Sequence, residues 1–294
     1  MLKRFFSLIK PGIIFGNVIT VAGGFCLASR GQVNWGLFIS TLIGLSLIVA
    51  CGCVFNNVID RDIDKLMERT KHRVVATGLI SEKIALVYAV FLGVLGSCLL
   101  YWQTNLLTLL IALAGLFFYV VVYSLALKRN SVYGTLVGSI SGAVPPVVGY
   151  CAVSNSFDLG ALILFVILIL WQMPHSYAIA IYRSSDYAAA GIPVLPLKKG
   201  IHVTKIHMLI YVIAFNLATL LLFWCGYTGA IYFIVAAVIA VIWLRLSLRG
   251  FRARDDKRWA RKMFGFSIIA ITLLALAMSI DTRLPHPPRL IGNR

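Results

Sequence analysis

Nine stretches of this chain are long and apolar enough to cross a bilayer, at roughly 13–29, 36–55, 84–102, 106–127, 132–153, 159–182, 207–225, 229–248 and 264–280. A helix needs about 20 apolar residues to traverse a hydrocarbon core about 30 Å thick. Within that core every backbone N–H and C=O must be satisfied by protein, so a spanning segment is a helix or part of a closed barrel. The short alternating segments of a barrel are absent. The runs predict an all-α, polytopic membrane protein of about nine transmembrane helices, folded as one domain over residues 1–294. The share of charge fits: 13% of residues are charged and 60% hydrophobic, where water-soluble domains carry about 25% charged residues.

Lys and Arg orient the bundle. With a cytoplasmic N-terminus, segments 1–12, 56–83, 128–131, 183–206 and 245–263 face the cytoplasm and hold 23 of the 27 basic residues. Arg30, Arg283, Arg289 and Arg294 remain on the other face. This is the asymmetry of the positive-inside rule. The net charge of +17 is therefore read as topology. The basic residues sit in short loops beside spans, not in a basic domain, so no nucleic-acid partner is expected. Lys3, Arg4 and Lys10 precede the first run as in a secretory leader, but Pro11-Gly12 breaks its start, Asn17 interrupts it and no small-x-small cleavage site follows. Helix 1 is expected to stay, and with no transit-type leader before it the expected location is a bacterial cytoplasmic membrane. The six cysteines lie in or at the ends of spans without a CxxC pair and are read as packing residues.

The second run ends in NNVIDRDIDKLMERTKHR, residues 56–73. On a helix, residues four apart share a face, so Asn56, Asp60, Asp64 and Glu68 would form one row and Arg61, Lys65, Arg69 and Arg73 the row beside it. Like charges four apart destabilise a helix, and acids at its C-terminus oppose the helix dipole. One reading is a solvated loop with local pairs such as Arg61–Asp64 and Lys65–Glu68. The other is a magnesium site, because acids at a membrane edge are costly and usually functional. Mg²⁺ takes oxygen ligands and is commonly held by one or two carboxylates together with substrate phosphates, while neighbouring arginines can fork onto phosphate oxygens. The pattern asks for a diphosphate with an apolar tail.

The sixth run ends in WQMPHSYAIAIYRSSDYAAAGIPVLPLKKG, residues 171–200. Pro174 removes a helical hydrogen bond, and His175 follows it inside a span, as a ligand or as a ring satisfied by a neighbour. Asp186 lies 11 residues further on, about 16 Å if the helix is continuous. Helices 2 and 6 thus each run into a long charged loop on the same side, a coarse repeat.

These residues carry a resemblance. N-x-x-x-D-x-x-x-D at 56–64 followed by M-x-R-T-x-x-R at 67–73 resembles the intramembrane prenyltransferase family. YSLALKR at 123–129, GAVPPVVGY at 142–150, WQMPHSYAIAIYR at 171–183, DYAAAGIPVLP at 186–196 and ARKMFGFSIIAIT at 260–272 make it similar, more narrowly, to the haem O synthase branch, the protohaem farnesyltransferases. The resemblance implies transfer of a farnesyl group from farnesyl diphosphate to a vinyl group of haem B, with addition of water, and a product passed to a haem-copper terminal oxidase. It implies Mg²⁺ held by Asn56, Asp60 and Asp64 with Asp186, catalysis by Asp60, Asp64, Arg69 and Arg73, and substrate contacts from Asn56, Asn57, Lys128, Arg129 and Asp186. His175 would meet the haem, and Lys198 and Lys199 its propionates. Where the wider family often has a second carboxylate four residues after Asp186, this chain has Ala190, which leaves a second metal ion open. Tyr119 and Tyr123 are candidates for steadying a developing cation, or for packing alone. Two other readings stand beside this one: the same fold acting on a quinone-precursor aromatic, which needs the acids but not His175, and a secondary transporter, whose charges should lie near the midplane.

Overall fold

The computed structural model describes residues 2–282 and is helical almost throughout. Among the described residues nine helices are long and apolar enough to span a membrane: α1 (Pro11–Ser29), α2 (Trp35–Ile59), α3 (Glu82–Gln103), α4 (Leu106–Leu127), α5 (Gly134–Ser154), α6 (Leu159–Tyr182), α7 (Ile201–Trp224), α8 (Ala230–Arg249) and α9 (Asp256–Ile280). The chain is a polytopic membrane protein. Arg283, Arg289 and Arg294, counted above with the second face, lie outside the described residues.

The helices begin where side chains can take up unpaired backbone N–H groups. Asn34, Ser81, Asn105, Asp158 and Asp255 cap α2, α3, α4, α6 and α9 through their side-chain oxygens. Two spans start earlier than their apolar runs, α7 at Ile201 and α9 at Asp256. The added turns carry charge, Lys205 in α7 and Asp256 in α9, and these two residues form an ion pair at 2.5 Å between the helices.

Sequential helices are neighbours all round the bundle, α9 closes back on α1, and α5 and α6 reach across to α1 and α9. In lipid, helix association relies on close van der Waals packing and therefore on small residues. Gly24 of α1 lies against the Pro146 carbonyl and Gly149 of α5 against the Val21 carbonyl, so that a Cβ at either glycine would collide with backbone. α1 and α5 are thus in backbone contact, and α2 and α3 meet in the same way through Gly44 and Gly96.

One span is not a plain α-helix. Over Phe118–Leu127, α4 is wound as a π-helix, in which residues five apart stack on one face. Tyr119 and Ser124, and Tyr123 and Lys128, are such pairs. The helix also ends with Lys128 donating its backbone N–H to Tyr123 at 2.9 Å.

Candidate active site

The site forms where the two charged loops meet. α2 stops at Ile59, Asp60 caps it, and a single helical turn, Arg61–Asp64, follows before the chain folds back. Thr70 Oγ1 donates to the Asp64 carbonyl at 3.0 Å and pulls the loop round. The i,i+4 row expected over residues 56–68 therefore holds only as far as Asp64. Glu68 is exposed and pairs with Lys71 at 2.7 Å. The local pairs Arg61–Asp64 and Lys65–Glu68 do not form: Arg61 pairs with Glu82, and Asp64 with Arg73 at 2.7 Å.

The second loop leaves α6 at Tyr182 and turns into a short helix, Ser184–Ala189, which carries Asp186. His175 and Asp186 are thus not on one continuous helix. Ile63 and Met67 of the first loop pack with Ala180, Ile192 and Val194 of the second. Across this seam the backbone N–H of Glu68 donates to Asp186 Oδ1 at 3.1 Å.

Cations converge on the acids from distant parts of the chain. Lys128, at the end of the π-wound segment, donates to Asp60 Oδ2. Asn56 donates to the same oxygen at 2.7 Å and to Ser124 Oγ at 3.2 Å. The Asn56 oxygen in turn accepts from Lys10 at 2.5 Å. Lys10 sits just before Pro11 with φ 52°, in the left-handed region where a non-glycine residue is strained and where strain clusters at functional sites. Desolvation of its ammonium, helped by repulsion from Arg73, pushes the Lys10 pKa down to about 8.

Each of the three acids keeps one oxygen free. Asp60 Oδ1, Asp64 Oδ1 and Asp186 Oδ2 are buried and without a hydrogen-bond partner. A buried polar atom without a hydrogen bond is costly, so three such carboxylate oxygens near one loop junction mark places for a cation, beside the basic partners Lys128, Arg73 and Arg183 that the acids already have. Among the described residues no three His, Cys, Asp or Glu side chains converge as a self-sufficient metal site. Any ion here needs oxygens from a ligand as well.

Two adjoining cavities lie near the acids, though none of Asp60, Asp64 and Asp186 lines either. The polar one, roughly 260 Å³, is lined by Tyr119, Tyr123, Lys128, Gln172, Ser176 and Tyr187 among others. The apolar one, roughly 180 Å³, reaches between α1, α2, α4 and α5 and includes Ile13, Leu45, Ile48 and Leu116. Tyr119, Gly138 and Gln172 line both. The Tyr119 and Tyr123 rings stack at 6.0 Å between centroids; Tyr119 lines both spaces and Tyr123 the polar one. A polar cavity, with Lys128 of the Asp60 pair in its wall, thus adjoins an apolar one.

The structure thus gathers Asn56, Asp60, Asp64, Arg73, Lys128 and Asp186. Arg69 is exposed and makes no hydrogen bond, though its charge acts on Tyr187, whose hydroxyl burial pushes up. Asn57 faces away, donating to the Leu8 and Cys53 carbonyls. Arg129 clamps the loop from outside, forked onto Asp62 at 2.7 Å and bonded to the Ile59 carbonyl; it holds the Asp62 carboxyl down to about 2. Lys198 and Lys199 are exposed at the end of a short helix. His175 lies between α6 and α9, stacked on Trp171 and bonded to Ser267, and is not among the cavity-lining residues. Lys10 and Ser124 are absent from the sequence reading. Only the Lys-Pro step at the start of the first span hinted at the former.

Compared with known proteins, residues 17–271 match the model of the UbiA prenyltransferase family. The chain is 60% identical over 281 residues to a protoheme IX farnesyltransferase of Yersinia pseudotuberculosis, covering 96% of this chain and 95% of that one. It is 58% identical over 291 residues to a protoheme IX farnesyltransferase of Cronobacter sakazakii, covering 99% of both. Among solved structures, a UbiA homologue from Aeropyrum pernix K1 superposes with a TM-score of 0.72 at 20% identity, over 91% of this chain and 96% of that one. A UbiA homologue from Archaeoglobus fulgidus bound to GPP and Mg²⁺ gives 0.66 at 15% identity, over 94% and 99%. At these identities the structures speak for the fold.

Proposed function

The chain belongs to the UbiA prenyltransferase family, and from that premise we propose that it transfers a farnesyl group from farnesyl diphosphate to a vinyl group of haem B, with addition of water, to give haem O. The observation that carries the donor half is the set of three orphaned carboxylate oxygens on Asp60, Asp64 and Asp186, near a polar and an apolar cavity that share Tyr119, Gly138 and Gln172. The acceptor half is supported by relatives named protoheme IX farnesyltransferase at 60% identity over nearly the whole chain.

Asp60, Asp64 and Asp186 are the residues that would hold Mg²⁺, whose chemistry is to draw charge from a departing diphosphate. The Asn56 oxygen already accepts from Lys10 and joins a metal only if that ammonium moves to the phosphate. Arg73, Lys128 and Lys10 offer positive charge to the phosphate oxygens, where preorganised charge lowers the barrier to bond breaking. As the C1–O bond of the donor breaks, positive charge develops on C1 of the chain lying in the apolar cavity. The stacked faces of Tyr119 and Tyr123 steady it. The vinyl π electrons attack C1, and water captures the resulting cation beside the porphyrin and gives up a proton. The acid end faces the cytoplasm of a bacterial inner membrane, on the distribution of Lys and Arg, and the product goes on to a haem-copper oxidase.

The test is incubation of membranes carrying the protein with farnesyl diphosphate, MgCl₂ and haem B, and mass analysis of the pigments. The expected product is haem B with a farnesyl group and a hydroxyl group added across one vinyl. Haem B recovered unchanged, with prenyl transfer to an added aromatic acid instead, would replace the acceptor.

A further inference from the structure

α6 shows a second built face. Its cavity side carries Gln172, Ser176, Ile179 and Ala180. Trp171, His175 and Tyr182 lie on the adjoining stripe, His175 about 60° round the helix from Gln172. α9 supplies Phe264, Ser267 and Arg261 to this stripe. The His175 ring is stacked on Trp171 at 4.6 Å and meets Phe264 at 4.8 Å, so both its faces are covered. Phe264 in turn meets Tyr182 at 5.7 Å. The guanidinium carbons of Arg183 and Arg261 lie 5.5 and 6.0 Å from the Tyr182 ring centroid. Both arginines are exposed, and Arg183 is also 3.9 Å from Asp186.

Hydrogen bonding decides the state of His175. Ser267 Oγ donates to the Phe264 carbonyl at 2.6 Å. A hydroxyl has one proton to give, so at its 2.7 Å contact with His175 Nδ1 Ser267 can only accept. Nδ1 therefore carries the imidazole proton and Nε2 carries the lone pair. Among the described residues Nε2 has no hydrogen-bond partner, and it is not fully enclosed. A histidine that donates from one nitrogen to a fixed acceptor and offers the other is the arrangement of a metal-binding imidazole.

We propose that this α6–α9 face is the acceptor site, taking a flat metalloporphyrin with carboxylate arms. Ser267 acts as the positioning residue that holds His175 as the Nδ1–H tautomer, Nε2 is the axial ligand of the iron, and Arg183 and Arg261 receive the carboxylates. The macrocycle lies across the edges of Trp171 and Phe264. Tyr182 is seven residues beyond His175, about 10 Å along the helix, which matches the reach from the iron to the arms. The vinyl edge then faces Ser176 and Gln172 and the cavity. This rests on the acceptor being haem and assigns the place where it binds.

The experiment titrates ferric haem B into the purified full-length protein in one detergent, reading the Soret band, with farnesyl diphosphate binding by calorimetry on the same samples. Ser267→Ala is expected to weaken haem binding about tenfold or more, the cost of losing such an outer partner, and to shift the band. Ser267→Thr, which keeps the hydroxyl, should bind like wild type. Added imidazole should restore the wild-type spectrum to His175→Gly. Arg261→Gln should weaken haem B but not its dimethyl ester. Farnesyl diphosphate binding should be unchanged throughout. Unaltered haem spectra and affinities in the Ser267→Ala and His175→Gly proteins would overturn the proposal, as would an equal loss of donor binding, which would make the effect one of folding. The wild-type product distinguishes the two levels: no farnesylated haem from wild type sinks the acceptor reading, whereas product from wild type with unaltered variants sinks only this site.

Discussion

Lys128 and Asp60, 68 positions apart in the chain, form an ion pair that joins the end of α4 to the end of α2. Asp60 has no exposed side-chain surface and Lys128 little. Removing one partner of a buried pair leaves an uncompensated charge, at a cost of about 3–5 kcal/mol. Lys128→Met should therefore lower the melting temperature of the detergent-solubilised protein, and Asp60→Asn added to it should recover part of the loss. Equal melting of the single and double variants would show that the pair is not coupled.

Asp60→Asn and Asp64→Asn each remove an orphaned oxygen's charge while keeping its volume. Both proteins should accumulate in membranes and bind haem B, with turnover reduced by at least about 100-fold, the scale on which single charge-stabilising groups act. Chelation of Mg²⁺ in wild type should produce the same loss reversibly. Near-normal turnover in both variants would remove the acids from the chemistry.

Arg73 gives one nitrogen to Asp64, and under the proposed function the rest of its fork meets the phosphate. Arg73→Lys retains the charge and loses the planar pair of donors. The KM for farnesyl diphosphate should rise about tenfold, one hydrogen bond to a charged group being about 1.5–3 kcal/mol, while haem affinity stays put. A change confined to haem would reassign Arg73 to the acceptor.

Lys10 should behave as a donor-binding residue despite lying at the start of the first span. Lys10→Met is expected to raise the KM for the donor, Lys10→Arg to preserve most of the affinity, and neither to change the haem spectrum. Steady-state kinetics with the donor varied at saturating haem is the check. If Lys10→Met left the KM unchanged, its role would reduce to bonding Asn56.

A Cβ at Gly149 would fall on the Val21 carbonyl. Gly149→Ala must push α1 from α5, and overpacking of this kind costs about 1–3 kcal/mol. The expected result is a lower melting temperature and weaker donor binding, since Lys10 precedes α1 directly and the cavity-lining Ile13 lies on it. Gly12→Ala, at a position with open space around it, is the control.

Much of the bundle was legible because a membrane span must be both apolar and helical, so one pattern reports both. The reading slipped where a helix continues through charge. The first turns of α7 and α9 look like loop in a hydropathy scan, and the Lys205–Asp256 pair joins them across the two helices. At the acids, the four-residue spacing put Asn56 beside Asp60, and the two are hydrogen-bonded. The same spacing failed at Glu68 because Thr70 turns the chain first, a tertiary choice that periodicity does not carry. Lys10 was illegible for a related reason: its partner Asn56 is 46 residues away, and a basic residue before a span reads as topology. Asn57 and Arg129 show the reverse error, since each sits beside a cavity or acid-cluster residue and spends its hydrogen bonds on scaffold.

The π-wound stretch of α4 makes this span intolerant of changes in length. An ordinary transmembrane helix accepts one residue more or fewer by tilting or sliding in the bilayer, and hydropathy would hardly register the difference. Here a single deletion within 118–127 would swing everything after it by one residue's rotation, roughly a quarter of a turn, unless the winding itself changed to absorb it. Lys128 would turn off Asp60 and Ser124 off Asn56, while the span stayed as greasy and as helical as before. Residue count, more than residue identity, is what α4 has to conserve.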